Sequence, residues 1–523
     1  MSRTGRRNDF AFVCGVVSGG LYLLTVVIGG PIGLLCGCLS WVLLIWVGFR
    51  ICGRLLPQSL VPRGLLCAQA IQPLALLGII LSGAQTQVVQ TQVLGVNLAE
   101  HSGILCGSQM LGVFGVVLAG GLLWPFAGSA TRRRGAAPLL RAIPNGSEKL
   151  LVAGVVLGSL RQLASLVLAG GYRYLFLVLA APLELVALAA GRLSDEYRGW
   201  RRAALMVLVA GTVLGFLLGT RQAVVGLALY GIGRISTLKG RRLWRTLVGS
   251  GICAVPIFYL VGLVGTVRNV TGRDNIGMLS PGNISRFIDQ AKDFSRSESD
   301  TAGDAIKTNS FGRIFAWATP VVIIMTPDPI PFLGLESLLG ESLKYARISG
   351  ADAEAGLWQL EENIGIARAR DYGFLVNEAN SIEFNLIADG WARRGSIGVV
   401  LVNVVACLAL TMIEWTLSAS RFLSRPSKLL LTCILLSVAI GTRAYPLLPV
   451  LRNSLLQPAA WAGVLLIAEQ TRRKQSSCVG LPLRATSEQH QASIATVRDR
   501  AMHKELNGQA QKAGELRHLP PVL

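Results

Sequence analysis

The chain alternates long apolar runs with short clusters of arginine and lysine, and that alternation leaves few folds open. A helix needs about 20 apolar residues to cross a hydrocarbon layer of ~30 Å. Runs near that length stand at about 10–30, 32–49, 64–82, 103–127, 150–170, 174–191, 203–219, 222–237, 246–266, 396–417, 429–447 and 453–469. Inside a bilayer each backbone polar group needs a partner within the protein, and a helix supplies it within one segment. The expectation is therefore an all-α, polytopic membrane protein of about twelve transmembrane helices.

The basic clusters set the orientation, because loops on the cytoplasmic side carry the excess of Lys and Arg. One set of loops holds Arg50, Arg54 and Arg63; Arg132, Arg133, Arg134, Arg141 and Lys149; Arg192, Arg198, Arg201 and Arg202; Arg234, Lys239, Arg241, Arg242 and Arg245; and Arg421, Arg425 and Lys428. The alternate connections hold only Arg173, Arg221, Arg443 and Arg452 when short, and 83–102 holds neither Lys nor Arg. Both chain ends then fall in the cytoplasm. The organisation expected is an N-terminal membrane bundle of about nine helices over 1–266, an outer loop region over 267–395, about three helices over 396–469, and a basic cytoplasmic tail over 470–523. The stretch 311–334 is fairly apolar but is broken by Pro320, Pro327, Pro329 and Pro331. It reads as a re-entrant or surface-lying segment, since broken helix at membrane depth is tolerated where protein covers it.

The net charge of +21 does not point to nucleic acid, because the excess sits in the short membrane loops. The ten cysteines all lie outside the outer loop, and Cys36 and Cys38 have no metal-ligand company, so neither a loop disulfide framework nor a metal site is expected. The histidines are His101, His490, His503 and His518, so no histidine base is available in that loop.

Ionisable residues within membrane segments are costly and mark function or structure. Arg161 and Glu184 each stand nine or ten residues from the connection between their runs, ~14 Å deep at the helical rise. They read as an intramembrane pair, with a structural role and a substrate role equally open. Two Gly-Thr-Arg triplets, 219–221 and 441–443, each border an unusually short apolar run. Arg221 and Arg443 would then sit below the outer surface, where a guanidinium suits a diphosphate or snorkels to lipid headgroups.

The outer loop ends in its richest stretch, from Asn377 to Arg394. Glu378, Asn385 and Asp389 recur at spacings of seven and four, and Asn380 and Glu383 are three apart. Arg393 and Arg394 stand on the outer side of the membrane against the positive-inside bias, which suggests a ligand, with anchoring arginines as the plainer explanation.

The run Asn380-Ser381-Ile382-Glu383 leading to Gly395 and Gly398, late in a many-span chain with one large outer loop, resembles the O-antigen polymerase (Wzy-type) and O-antigen ligase superfamily. The Gly219-Thr220-Arg221 segment before an apolar helix resembles the same superfamily. Its ligases use a His-Asn pair at the loop end. Ala379-Asn380 stands at that position here, which favours the polymerase branch. The resemblance implies a bacterial inner-membrane glycosyltransferase that joins polyprenyl-diphosphate-linked repeat units on the periplasmic face, in O-antigen, capsule or exopolysaccharide synthesis.

It implies no cofactor and no metal. The partners implied are the lipid-linked glycan donor and acceptor, membrane lipids, a chain-length regulator and a flippase. The leaving group is a lipid diphosphate, so positive charge and a base for the acceptor hydroxyl suffice. Arg221 and Arg394, with Arg313 and Arg443 in reserve, are assigned to the diphosphates. Glu378 or Glu383 is assigned as the base, and Asn380 and Asp389 as orienting groups. A lipid-linked oligosaccharide flippase, a ligase-like transferase and a non-catalytic scaffold remain rival readings.

Overall fold

The structure is a computed structural model that describes residues 3–81, 100–131, 143–167, 183–217, 222–238, 240, 243, 385–442 and 447–471. The described elements are all helical: α1 (Arg3–Ile28), α2 (Gly30–Leu55), α3 (Val61–Leu81), α4 (Ser102–Thr131), α5 (Glu148–Val167), α6 (Leu183–Gly191), α7 (Arg198–Leu217), α8 (Gln222–Ile235), α9 (Leu386–Ala419), α10 (Arg425–Gly441) and α11 (Leu447–Thr471). A single 3-10 turn, Asp195–Tyr197, precedes α7. Among the described residues five helices are long and apolar enough to cross a membrane: α1, α2, α4, α9 and α11. Large apolar side chains such as Phe12, Val27, Trp124, Phe126 and Met412 point outward, as lipid-facing positions require.

Each element follows from its sequence. Gly29 and Gly30 both hold φ near +61°, a conformation open to glycine, and so fold α1 tightly back on α2. Ser18 and Ser40 lock these two helices by donating to each other's carbonyl oxygens, at 2.9 and 2.7 Å. Small residues let backbones approach where no water drives helices together. A Cβ on Gly115 of α4 would stand 2.8 Å from the Val400 carbonyl oxygen of α9, so glycine there sets how closely the two pack.

The interior lies among α2, α3, α4, α9 and α10, filled by Trp41, Leu65, Leu66, Val116, Leu410 and Leu435. A second group, α5 to α8, joins through α10, which packs on α3 and also on α6. At one end of the bundle Glu414 of α9 caps α3. Its Oε1 accepts from Leu60 N at 2.8 Å, and its Oε2 accepts from Val61 N at 3.2 Å and from the Ser59 hydroxyl. A buried carboxylate thus satisfies donors at a helix start, where the dipole favours negative charge. From Gly463 onward the described residues, through Thr471, continue as helix.

Each described helix falls on one of the apolar runs, α6 being described only from Leu183, and the largest departure is at α9. The loop was expected to reach the membrane at Arg393 and Arg394, with a span starting at 396. Helix instead begins ten residues earlier, at Leu386, and residues 386–393 are all buried. The re-entrant reading of 311–334, the span at 246–266 and the tail beyond Thr471 lie outside the described residues.

Candidate functional site: a helical hairpin over a buried amide pocket

α9 is two helices joined at a sharp bend. Arg394 (φ −152°, ψ 30°) and Gly395 (φ 56°, ψ −138°) leave helical geometry, and Gly395 supplies the left-handed conformation. A Cβ on Gly390 would meet the Gly398 carbonyl oxygen and Val399 Cα, each at 2.6 Å. Asn385 and Asn403 line one pocket. The pairs 390/398 and 385/403 are both centred on residue 394. The limbs 386–393 and 396–419 therefore run antiparallel as a hairpin with Arg394 at its apex.

Two features hold the short limb. Asn385 Oδ1 caps it by accepting from Ile387 N at 3.1 Å and Ala388 N at 2.9 Å. Asp389, fully buried, accepts from Arg393 Nε at 2.7 Å through Oδ1 and from Leu447 N at 2.7 Å through Oδ2. The carboxylate thus ties the hairpin to the start of α11, and its pairing with Arg393 one helical turn on offsets the cost of burying both charges. Arg394 is exposed at the apex, whereas Arg393 is 2% exposed at its side chain.

Beneath the apex the short limb reaches a pocket lined by Ala68, Gln69 and Gln72 of α3, Asn385, Leu386, Ile387 and Asn403 of α9, and Thr442 after α10. The space between these side chains is narrow, with room for about one water molecule.

A relay of amides fixes the orientation of Asn403 and Gln69. Asn403 Nδ2 donates to the Val399 carbonyl oxygen at 2.9 Å, which leaves Asn403 Oδ1 to accept from Gln69 Nε2 at 3.0 Å. Gln69 Oε1 is then the free end, buried without a hydrogen-bond partner among the described residues, and Gln72 Oε1 is in the same condition. On α4, Gln109 is buried with both amide atoms unpartnered. It stands one turn before Gly112, whose own Cβ would meet Gln69 Nε2 at 3.2 Å. These amides form a polar seam within an otherwise apolar bundle.

The depth of the pocket follows from two independent counts. Val61 N meets Glu414. Gln72 stands eleven residues up α3 from Val61, and Asn403 eleven residues up α9 from Glu414, about 16 Å in each case at 1.5 Å per residue. Asn403 is sixteen residues from the Ala419 end of α9, ~24 Å along a ~30 Å hydrocarbon layer. The pocket therefore lies in the half of the membrane nearer the hairpin apex.

Of the residues singled out from sequence, Asp389 and Arg394 belong to this hairpin. Glu184 lies in the first turn of α6, with Oε2 buried and unpartnered among the described residues. Arg161 lies on α5, which packs against α6 as the expected pair requires, but its side chain is outside the described residues. Arg221, Arg313, Glu378, Asn380, Glu383 and Arg443 lie outside them as well. Gln69, Gln72, Gln109 and Asn403 escaped the sequence reading, which weighed only ionisable groups inside apolar runs. Uncharged amides at helical spacing, as in Gln69-Ala-Ile-Gln72, were the available signal.

No protein-family model, curated protein or solved structure matches this chain.

Proposed function

We propose that this chain is a membrane glycosyltransferase that polymerises polyprenyl-diphosphate-linked oligosaccharide repeat units on the periplasmic face of a bacterial inner membrane. In this reading it has twelve spans, both ends cytoplasmic, and one large periplasmic loop over 267–395. The observation that carries the proposal is the hairpin. It leaves Arg394 exposed at its apex, with the buried Asp389–Arg393 pair in the limb behind it. The resemblance of 380–398 to the O-antigen polymerase and ligase superfamily falls on this same element.

The chemistry fits the groups present. Transfer moves the growing glycan from its diphosphate carrier to a sugar hydroxyl of the next repeat unit. The developing charge on the departing diphosphate needs cations, supplied by Arg394 with Arg221, and by Arg313 or Arg443. The acceptor hydroxyl needs a base, supplied by Glu383 or Glu378. Glu383 stands two residues before Asn385, so covalent reach keeps its Cα within about 8 Å of the pocket-lining cap. Asp389 acts by positioning, through its bonds to Arg393 and Leu447. Asn380 orients the acceptor. No metal or cofactor takes part. The partners are the two lipid-linked glycans, surrounding lipids, a chain-length regulator and a flippase.

The test is a glycan ladder from cells lacking the gene, complemented with wild type, Arg394→Ala or Arg221→Ala at equal membrane level. Polymerisation predicts collapse to single repeat units on deletion, restored by wild type and not by either variant. Loss of even the single-unit product would indicate flipping or ligation. An unchanged ladder on deletion would remove the reading.

A further inference from the structure

The end of the bundle where Glu414 caps α3, opposite the hairpin apex, is basic. Residues 1–99 carry Arg3, Arg6, Arg7, Arg50, Arg54 and Arg63 against a single acid, Asp9. Arg63 is engaged by the carbonyl oxygens of Gly53 and Pro57. Arg50 and Arg54, in the last turns of α2, are both exposed, and their side chains form no ion pair or hydrogen bond among the described residues. The Arg50 guanidinium lies 5.0 Å from the centroid of the Trp46 ring, one turn back, in a cation–π contact that holds it against the helix. At 100° per residue, Ile32, Leu39, Trp46, Arg50 and Arg54 fall within about 80° of one another and share one face. Ile32 and Leu39 on that face are exposed, as lipid-facing side chains are. Along its axis α2 thus presents an apolar stripe, then an indole, then two guanidiniums.

We propose that this face of α2 is a binding site for an acidic phospholipid, its phosphate held by Arg50 and Arg54 and an acyl chain lying along Trp46, Leu39 and Ile32. A guanidinium grips phosphate through parallel N–H···O bonds. Side chains one helical turn apart start about 5–6 Å from each other, so both arginines reach one headgroup. Trp46 stands between the arginines and the apolar stripe, the level at which indoles collect at a membrane interface. The occupant is an amphiphile, because the two charges run straight into lipid-facing surface. A nucleic acid or an acidic protein would match the charge and leave the stripe uncovered. A zwitterionic lipid brings a cation of its own to two guanidiniums and is the poorer match. The site is independent of the reaction proposed at the opposite end of the bundle.

The test uses the full-length protein in phosphatidylcholine nanodiscs containing a trace of phosphatidylglycerol, or of phosphatidylcholine, with a photoreactive diazirine on its acyl chain. After illumination, peptide mass spectrometry reads the label on residues 32–46, normalised to the exposed Leu401 and Val405 of α9. Wild type is expected to favour phosphatidylglycerol by about 25-fold, Arg50→Gln or Arg54→Gln by about 5-fold, and the double variant not at all. Trp46→Leu keeps both charges and is expected to lower the preference about 2- to 5-fold. Arg421→Gln with Arg425→Gln removes the same charge from exposed positions at the same end and should leave the labelling of α2 unchanged. Equal labelling by the two lipids in wild type, or an unaltered preference in the Arg50/Arg54 double variant, overturns the site. A loss in the Arg421/Arg425 variant as large as in the Arg50/Arg54 variant shows a diffuse surface potential and overturns it too. If the Arg50/Arg54 double variant fails to accumulate, the two single variants decide by the same criterion.

Discussion

Gln69 Nε2 donates to Asn403 Oδ1 at 3.0 Å, a bond between α3 and the long limb of α9 made far inside an apolar bundle. Asn403 is itself aligned by the Val399 carbonyl. Removing the middle of this relay frees Gln69 to rotate. Asn403→Leu is expected to cost about 1 kcal/mol in stability, in line with hydrogen bonds between membrane helices. Thermal unfolding of the detergent-solubilised protein measures it, and an unchanged transition would show that the bond contributes little.

The Asp389–Arg393 pair is buried on both sides. Asp389→Leu leaves a buried guanidinium and the Leu447 N–H without this carboxylate, and is expected to destabilise by about 3–5 kcal/mol. The double change Asp389→Leu with Arg393→Met should recover most of that loss. A double-mutant cycle on thermal unfolding checks it, and purely additive losses would contradict the pairing.

The hairpin depends on backbone-to-backbone contact. Gly390→Ala must push the limbs apart, because its Cβ would fall 2.6 Å from Val399 Cα. The expected cost is more than about 2 kcal/mol, at the upper end for overpacking. Gly463→Ala is the control. A Cβ there meets nothing within 4 Å, and alanine in a helix interior gains up to about 1 kcal/mol. Limited proteolysis of membranes should show new cleavage near α9 only in the first variant.

Asp195 lies at the surface between α6 and α7. Its hydrogen bond from Arg201 at 2.8 Å, aided by the Arg234 charge, holds its carboxyl below the usual range. A depressed carboxylate stabilises the fold above its ordinary pKa, and that stabilisation is lost as pH falls through the folded value. Wild type is therefore expected to exceed Asp195→Asn slightly in melting temperature at neutral pH. The gap should close as pH falls below about 4, the ordinary carboxylate range. A gap independent of pH would show that the charge is immaterial.

Much of the helical frame was legible in the chain, because apolar length and basic punctuation are what a bilayer itself reads. Even the short runs at α8 and α10 are short helices, Gln222–Ile235 and Arg425–Gly441. The hairpin was not legible. Asn385, Asp389, Arg393 and Arg394 look on paper like the polar end of an outer loop, and only the Gly390–Gly398 contact shows that this polarity folds back into the bundle. The amide pocket was missed for a related reason. A glutamine lowers the hydropathy of a run only slightly, so Gln69 and Gln72 vanish into α3 unless the partners that should satisfy them are sought. The Glu414 cap needs three-dimensional knowledge outright, since its partners at Ser59, Leu60 and Val61 lie more than 350 residues earlier.

That last separation has a consequence for biogenesis. The chain is made from its N-terminus, so α3 emerges and enters the bilayer long before α9 exists. During that interval the donors at its first turn have no Glu414, and Gln69 has no Asn403. The early helices are held in an unfinished state whose polar groups depend on water, lipid headgroups or the insertion machinery. Arrival of α9 supplies both missing partners in one step, at two levels about 16 Å apart on the same helix. A ribosome-stalled chain ending before residue 385 should therefore keep α3 accessible to polar reagents, and one extending past Ala419 should close it.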